Sequence, residues 1–514
     1  YGEESGAIVT PGRLAKYFGY DSNLMLDLMR SCFTLAEWTA IIDKELQAKR
    51  PILYSGRTTN GGHQFVCDGS DGNGLYHINW GWGGYQDGYF DITILNPGQG
   101  GIGAGNVTDG YNRNCNMIIG IQPDNGKVDE PLVDVPAIRI EHFSNNNLTT
   151  GIELTNATRT NINENFTITI NEWWANPYPT KINCTVGYGI SNGKGGYELI
   201  SETKNIEIDG IKDNGQYSLR YSTLKINNRF SPNGTYTIYA IYSTDNGKTW
   251  KKCAYYYMQP YVVKSTATTL SLVKTQLTAE ITSKETQYSG VEGTFELSIT
   301  NNGDDEFIGL INAYTSSTAT CPDDAIAQPY MTIPAHSTVT REIGITPTTV
   351  GDMYVWIEDG ESGEMLLNAK KFNVEQTTEP SYTIVSVTTN ATPGVYETEK
   401  AYINTDKVKV PRVDDEKAEF TFGIRNNGGT GVLKYIFWVW NLENDSYKLV
   451  NTVYKKKIPG NGEITYLPIS FTPEFAGGNT IYPLIEQIDS NGKNDAIPTS
   501  LPNYFIPIVG NENY

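Results

Sequence analysis

Residues 61–90 decide how this chain is read. They run Gly61-Gly62-His63-Gln64-Phe65-Val66-Cys67-Asp68-Gly69, then Tyr76-His77-Ile78-Asn79-Trp80-Gly81-Trp82-Gly83-Gly84, then Asp87-Gly88-Tyr89-Phe90. A histidine behind two glycines opens one strand. A second strand ends in Asn and two Trp before a glycine turn. Glycines beside His63 let a substrate backbone approach it, and an imidazole of near-neutral pKa takes and returns a proton at physiological pH. Such a base needs a partner to fix its tautomer, and an indole at Trp80 or an amide at Asn79 can supply one. Taken singly, these features favour the blander reading of a turn histidine and a Trp pair that fills a core.

Two helices precede this stretch. Thr10-Pro11-Gly12-Arg13-Leu14 opens the first with a cap residue and Pro, and Gly19 closes it. Thr34 and Glu37 form a capping box for the second, which carries apolar residues at Leu35, Trp38, Ile41, Ile42 and Leu46 and runs to about Lys49. Strands are expected at Ile52–Ser55, Gln64–Asp68, Leu75–Trp80, Gly88–Ile94 and Asn116–Gln122. Residues 1–126 hold 22 of the 51 glycines, and 56–105 alone hold 15, a density that marks tight turns. The segment 1–123 is therefore mixed α+β.

Beyond a Pro- and Asp-rich linker at 124–136 the pattern changes to short alternating strands with almost no helical periodicity, as in β-sandwiches. The β region repeats. Phe295 to Asn301-Asn302-Gly303 resembles Phe420 to Asn426-Asn427-Gly428, and Ile333-Pro334 matches Ile458-Pro459 at the same offset. A weaker third copy is read from Phe166-Thr-Ile-Thr-Ile170, 129 residues before the second. Three immunoglobulin-like sandwiches are expected at 137–265, 266–376 and 377–514. At about 150 residues per domain, 514 residues hold three or four domains.

A net charge of −19 without a basic stripe argues against nucleic-acid partners. No apolar run approaches the ~20 residues of a membrane-spanning helix. Four His and six Cys leave few candidates for chemistry, and no CxxC or Cys/His spacing suggests a metal. Neither metal nor cofactor is expected.

The combined string resembles the streptopain family of secreted bacterial cysteine peptidases. The resemblance covers residues 1 to about 122. Its motifs include Tyr1-Gly2 with Ser5-Gly6, Phe18-Gly19-Tyr20, Trp38 with Asp43-Lys44-Glu45-Leu46, and Arg50-Pro51-Ile52-Leu53-Tyr54. They continue through Gly61-Gly62-His63, Asn79-Trp80-Gly81-Trp82-Gly83-Gly84, Asp87-Gly88-Tyr89-Phe90, Leu95-Asn96-Pro97 and the glycine loop 98–105. Members such as periodontain and interpain carry appended β domains. The resemblance implies a papain-like fold and secretion or display at the cell surface. It makes His63 the catalytic histidine, with Trp80 orienting and shielding it, Asn79 the alternative orienting group and Trp82 walling the site. Ser5 and Gly62 would contact substrate backbone, and Gly98, Gly100, Gly101 and Gly103 belong to a flap. Protein or peptide substrates are implied, and a propeptide is compatible.

A cysteine peptidase needs a thiolate, which papain-like order places some 130–150 residues before the histidine. Only 62 residues precede His63. Cys32 lacks the family's nucleophile setting. Cys67 lies four residues along the same strand, about 13 Å away. Cys115 sits in an unrelated context. All three read as ordinary thiols. The expectation is a chain that holds the histidine half of a papain-like domain, its nucleophile half or light chain lying outside the sequence. Residues 1–122 should then expose an apolar face. The alternative is a binding or adhesion protein with a vestigial peptidase domain. Ser243-Thr244-Asp245-Asn246-Gly247-Lys248-Thr249-Trp250 matches an Asp-box, read as a structural hairpin.

Overall fold

A computed structural model describes residues 9–510 except 60, 85, 98–109, 128–134, 143–147, 179, 212–216, 390–391, 394–410, 414–417, 442–445, 472–479, 490–491 and 500–507. The chain divides into two compact units. One comprises 1–282, 295–343 and 355–370, the other 283–294, 344–354 and 371–514.

In the first unit the N-terminal segment folds around one antiparallel sheet. Its strands are β1 (Leu26–Met29), β2 (Ile52–Arg57), β3 (Gly62–Ser70), β4 (Leu75–Asn79), β5 (Gly88–Asp91) and β6 (Arg113–Ile119), in the order β1-β6-β2-β3-β4-β5. Helix α1 spans Pro11–Phe18, capped by Thr10 and closed by Gly19 at φ 70°. Helix α2 spans Leu35–Gln47 and carries the expected capping box. Its face Trp38, Ile41 and Ile42 is buried against Ile52, Tyr54, Phe65 and Met117 of the sheet. The Trp38 indole N–H donates to the Tyr54 hydroxyl at 3.1 Å, so its one polar atom is satisfied inside the core. Glu45 is buried, and its carboxylate accepts two bonds from Arg50, at 2.7 and 2.8 Å, and one from the Gly120 N–H.

The observed strands differ from the expected ones at their ends, by up to three residues, and one strand is additional. Strand β5 stops at Asp91 because the Asp91 carboxylate takes the N–H and hydroxyl of Thr93 and turns the chain. Strand β1 was not expected. Four residues are too few to show alternation, and only pairing of Leu26 with Ile119 in β6 makes them a strand.

After this segment come two sheets that close over one core. One has seven strands and includes Ile182–Ser191, Thr235–Ser243 and Tyr261–Ser265. The other has five and includes Arg139–Glu141, Phe166–Asn176 and Ser218–Asn228. Between them lie Ile168, Ile170, Trp174, Val186, Tyr188, Ile226 and Ile238, all buried. In the second unit, Phe420, Phe422 and Ile424 from a three-stranded sheet meet Leu433, Tyr435 and Phe437 from a seven-stranded one in a comparable core.

A buried asparagine recurs at equivalent places in the three stretches read as repeats. The Asn301 amide donates to the carbonyl of Ile333 at 3.1 Å, and the Asn426 amide to that of Ile458 at 3.2 Å. The Asn176 amide donates to Ile208 at 3.3 Å. Each pair is separated by 32 residues. These asparagines stand 125 residues apart, so the first copy aligns at 125 and not at the 129 expected from Phe166. The sequence signal misaligned because Phe166-Thr-Ile-Thr-Ile170 shares strand composition with the later copies but not their position in the strand. The Asp-box is a hairpin turn, as expected. The Asp245 carboxylate accepts from the Ser243 hydroxyl, the Lys248 and Thr249 N–H groups and the Thr249 hydroxyl.

Candidate active site

His63 is the second residue of β3 and pairs with Gly56 of β2. Its half-buried imidazole sits in an aromatic nest. The ring lies 5.0 Å from Trp82 at an interplanar angle of 23°, 5.5 Å from Tyr111, 5.9 Å from Phe65 and 6.3 Å from Trp80 at 17°. Its Nε2 is 2.8 Å from the backbone carbonyl of Trp80. A carbonyl only accepts, so Nε2 carries the proton. Among the described residues Nδ1 makes no hydrogen bond. The geometry thus yields an imidazole with a fixed tautomer and one nitrogen available for proton transfer.

The acceptor is itself held in place. Trp80 follows the last residue of β4, and its N–H donates to Asp87 at 2.9 Å. Its indole is fully buried and packs edge-on against Phe90. The turn after it needs glycine, since Gly81, Gly83 and Gly84 have φ of 76°, 68° and 89°. Trp82 projects from this turn and is 40% exposed.

Trp80 therefore meets His63 through its main chain as well as its ring, a contact that side-chain chemistry does not announce. The side chain of Asn79 does not reach His63. It is exposed, and its oxygen accepts the Gly81 N–H at 2.9 Å. Gly62 is exposed beside His63. Ser5, Gly98, Gly100, Gly101 and Gly103 lie outside the described residues.

The sequence reading missed Asp87 as a support and Tyr111 as a wall. Tyr111 reaches His63 because β2 bulges against β6 between Ser55 and Arg57. At Gly56 the Tyr111 carbonyl comes so close that a Cβ would stand 1.9 Å from it. Gly56 was the available signal, a glycine inside a strand pattern.

None of the six cysteines hydrogen-bonds to His63 in the described structure. Burial pushes the thiols of Cys67 and Cys115 up to about 12 and that of Cys32 to about 11. These are neutral thiols near pH 7, whereas a cysteine acts as a nucleophile through its thiolate. The Cys115 thiol donates to the Tyr111 carbonyl at 3.3 Å. The other histidines sit in separate surroundings. His77 contacts Asp68, His142 contacts Glu172 and Tyr261, and His336 contacts Asp304. Among the described residues no cluster of three or more His, Cys, Asp or Glu could hold a metal ion. No described helix is long and apolar enough to cross a membrane.

Apolar surface is present near the site and on α1. Besides Trp82, the rings of Tyr17, Phe18 and Tyr89 are exposed. No residue of α1 is buried.

Residues 1–90 match the Peptidase C10 family. Over 126 residues the chain is 41% identical to streptopain of Streptococcus pyogenes, an overlap of 24% of this chain and 31% of that protein. It is 40% identical over 123 residues to the thiol protease/hemagglutinin PrtT of Porphyromonas gingivalis, covering 24% of this chain and 14% of PrtT. The chain thus spans about a third of the streptopain length. A solved structure of red sea bream transglutaminase overlaps 46% of this chain and 31% of its own at 10% identity and a TM-score of 0.16, too slight to bear on the fold.

Proposed function

We propose, from the premise that the N-terminal segment is a streptopain-family peptidase segment, that this protein is a cysteine endopeptidase whose histidine half lies in these residues. The observation that carries the reading is the bond from His63 Nε2 to the Trp80 carbonyl, which leaves Nδ1 as the nitrogen that exchanges a proton with a thiol. In the reaction, Nδ1 takes the thiol proton as sulfur attacks the scissile carbonyl. The imidazolium then returns it to the leaving amine, and water hydrolyses the thioester.

The thiol comes from residues outside these 514. Support for this is twofold. The six cysteines are held neutral or away from His63, and Trp82, Tyr17 and Phe18 offer apolar surface for a covering half to bury. The complete domain is then papain-like. We further propose that immunoglobulin-like sandwiches at 137–265, 266–376 and 377–514 follow it, and that the protein acts on protein substrates outside the cell or at its surface.

The test joins this chain to the upstream part of its reading frame, or supplies that part in trans. Casein cleavage that is blocked by a thiol-directed inhibitor and lost in His63→Ala is the expected result. An upstream sequence with no cysteine, or an inert full-length protein, favours the alternative of a binding protein with a vestigial site.

A further inference from the structure

We propose that the segment around Gln328 and Tyr330 buttresses the wall of the His63 pocket, with Arg113 as a positioning residue that acts through Tyr111. The inference rests on His63 being the working histidine.

Tyr111 stands two residues before β6, and its ring packs on His63, Trp80 and Phe65. The next two residues turn away from the site and bond to a different part of the chain. Arg113 Nη2 donates to the Gln328 carbonyl at 2.8 Å, and the Asn112 amide donates to the Tyr330 carbonyl at 3.4 Å as well as to Thr93 at 2.8 Å. Arg341, on strand Ser337–Ile345, returns a bond to the Thr93 hydroxyl at 3.4 Å. Strand Tyr330–Ile333 lies at the end of its sheet, paired with Phe307–Ser316. The carbonyls of Gln328 and Tyr330 thus take donors from the segment beside the site.

The side chains reach these carbonyls at a cost. Arg113 Nε and Asn112 Oδ1 are buried with no hydrogen-bond partner among the described residues. Burying polar atoms unpaired is unfavourable and persists where other contacts hold the segment. The segment is also conformationally confined. A Cβ at Gly110 would lie 1.8 Å from the Ile94 carbonyl, and Asn114 sits at φ 50°. Little slack remains between Arg113 and the Tyr111 ring, so loss of the Gln328 bond is transmitted to the face of His63.

The test uses the full chain with isotopically labelled histidine. Only four histidines are present, and His63→Gln assigns the His63 signals. In Arg113→Ala the His63 ring resonances move, and amide exchange at 110–114, followed by mass spectrometry, speeds up about tenfold or more, as expected for local opening. His142 and His336 stay unchanged, which shows that the fold is intact. Arg113→Lys, which keeps a donor, restores most of the His63 signal. If Arg113→Ala unfolds the chain, Arg113→Gln is read in the same way. Unchanged His63 resonances and unchanged exchange in a folded variant overturn the proposal. In the complete enzyme kcat falls with KM little changed. The expected His63 shift in a protein without peptidase activity counts against the proposed function and keeps only the Arg113–Tyr111–His63 coupling, whereas unchanged His63 signals in an active peptidase overturn the coupling alone.

Discussion

His63 Nε2 and the main-chain carbonyl of Trp80 lie 2.8 Å apart, so the tautomer of the histidine is set by backbone and not by a side-chain amide. A carbonyl cannot be removed by substitution. Its position can be, because Asp87 holds the Trp80 N–H.

This leads to a contrast between Asn79 and Asp87. In the complete peptidase, Asn79→Ala is expected to change kcat by no more than about threefold. Loss of a true orienting side chain in a catalytic triad costs about 10⁴-fold. Asp87→Ala should lower kcat about tenfold or more, because the acceptor is no longer aimed. Steady-state kinetics on a peptide substrate and the ¹⁵N shifts of His63 check both. Equal losses in the two variants would falsify the backbone assignment.

The three buried asparagines make a second prediction. Asn301→Ala or Asn426→Ala leaves the carbonyl of Ile333 or Ile458 unpaired in the core and should cost about 1–3 kcal/mol. Asn→Asp at either site should be worse, because a carboxylate cannot donate to a carbonyl. Urea unfolding of each variant gives the measurement.

Arg30 and Glu306 form a nearly buried ion pair at 2.7 Å, with 7% and 9% of their side chains exposed. Glu306 also accepts the Leu35 N–H at the start of α2. Glu306→Ala strands the guanidinium and uncaps the helix. A loss of about 3–5 kcal/mol is expected. The double variant Arg30→Met/Glu306→Leu should recover much of it. A single variant that unfolds like the parent chain in urea would remove the pair from any account of stability.

The thiols give a pH prediction. Burial raises Cys67 and Cys115 to about 12, above the ~8.5 of an unfolded chain. An acid with a raised folded pKa contributes stability that is full below the unfolded value and is lost as pH climbs toward the folded one. Stability should therefore fall from about pH 9 toward pH 12, by up to about 1.4 kcal/mol per pH unit for each thiol. Cys115→Ala should flatten this slope. In the native protein at pH 8 neither thiol should react with an aromatic disulfide, and both should react on unfolding.

Much of the candidate site was legible in the residues. Gly62-His63 and the Asn79–Gly84 turn stood out because proton transfer near neutral pH and tight turns each demand particular residue types. The cap of α2 and the face of Trp38, Ile41 and Ile42 were legible because helix signals are local. The 125-residue spacing of Asn301 and Asn426 was visible too, whereas Phe166 points to 129 and the buried Asn176 to 125, since strand composition carries little register information.

By itself, then, the sequence determined the α+β start, the β-rich remainder and the histidine. Local backbone preference and side-chain chemistry are written in neighbouring residues. Only the tertiary structure decided that a Trp80 carbonyl and not Asn79 meets His63, that Tyr111 walls it, and that Arg113 ties this wall to Gln328. Those contacts join residues 17, 48 and 215 positions apart. They use backbone atoms that every residue possesses, so only the folded chain can say which ones meet.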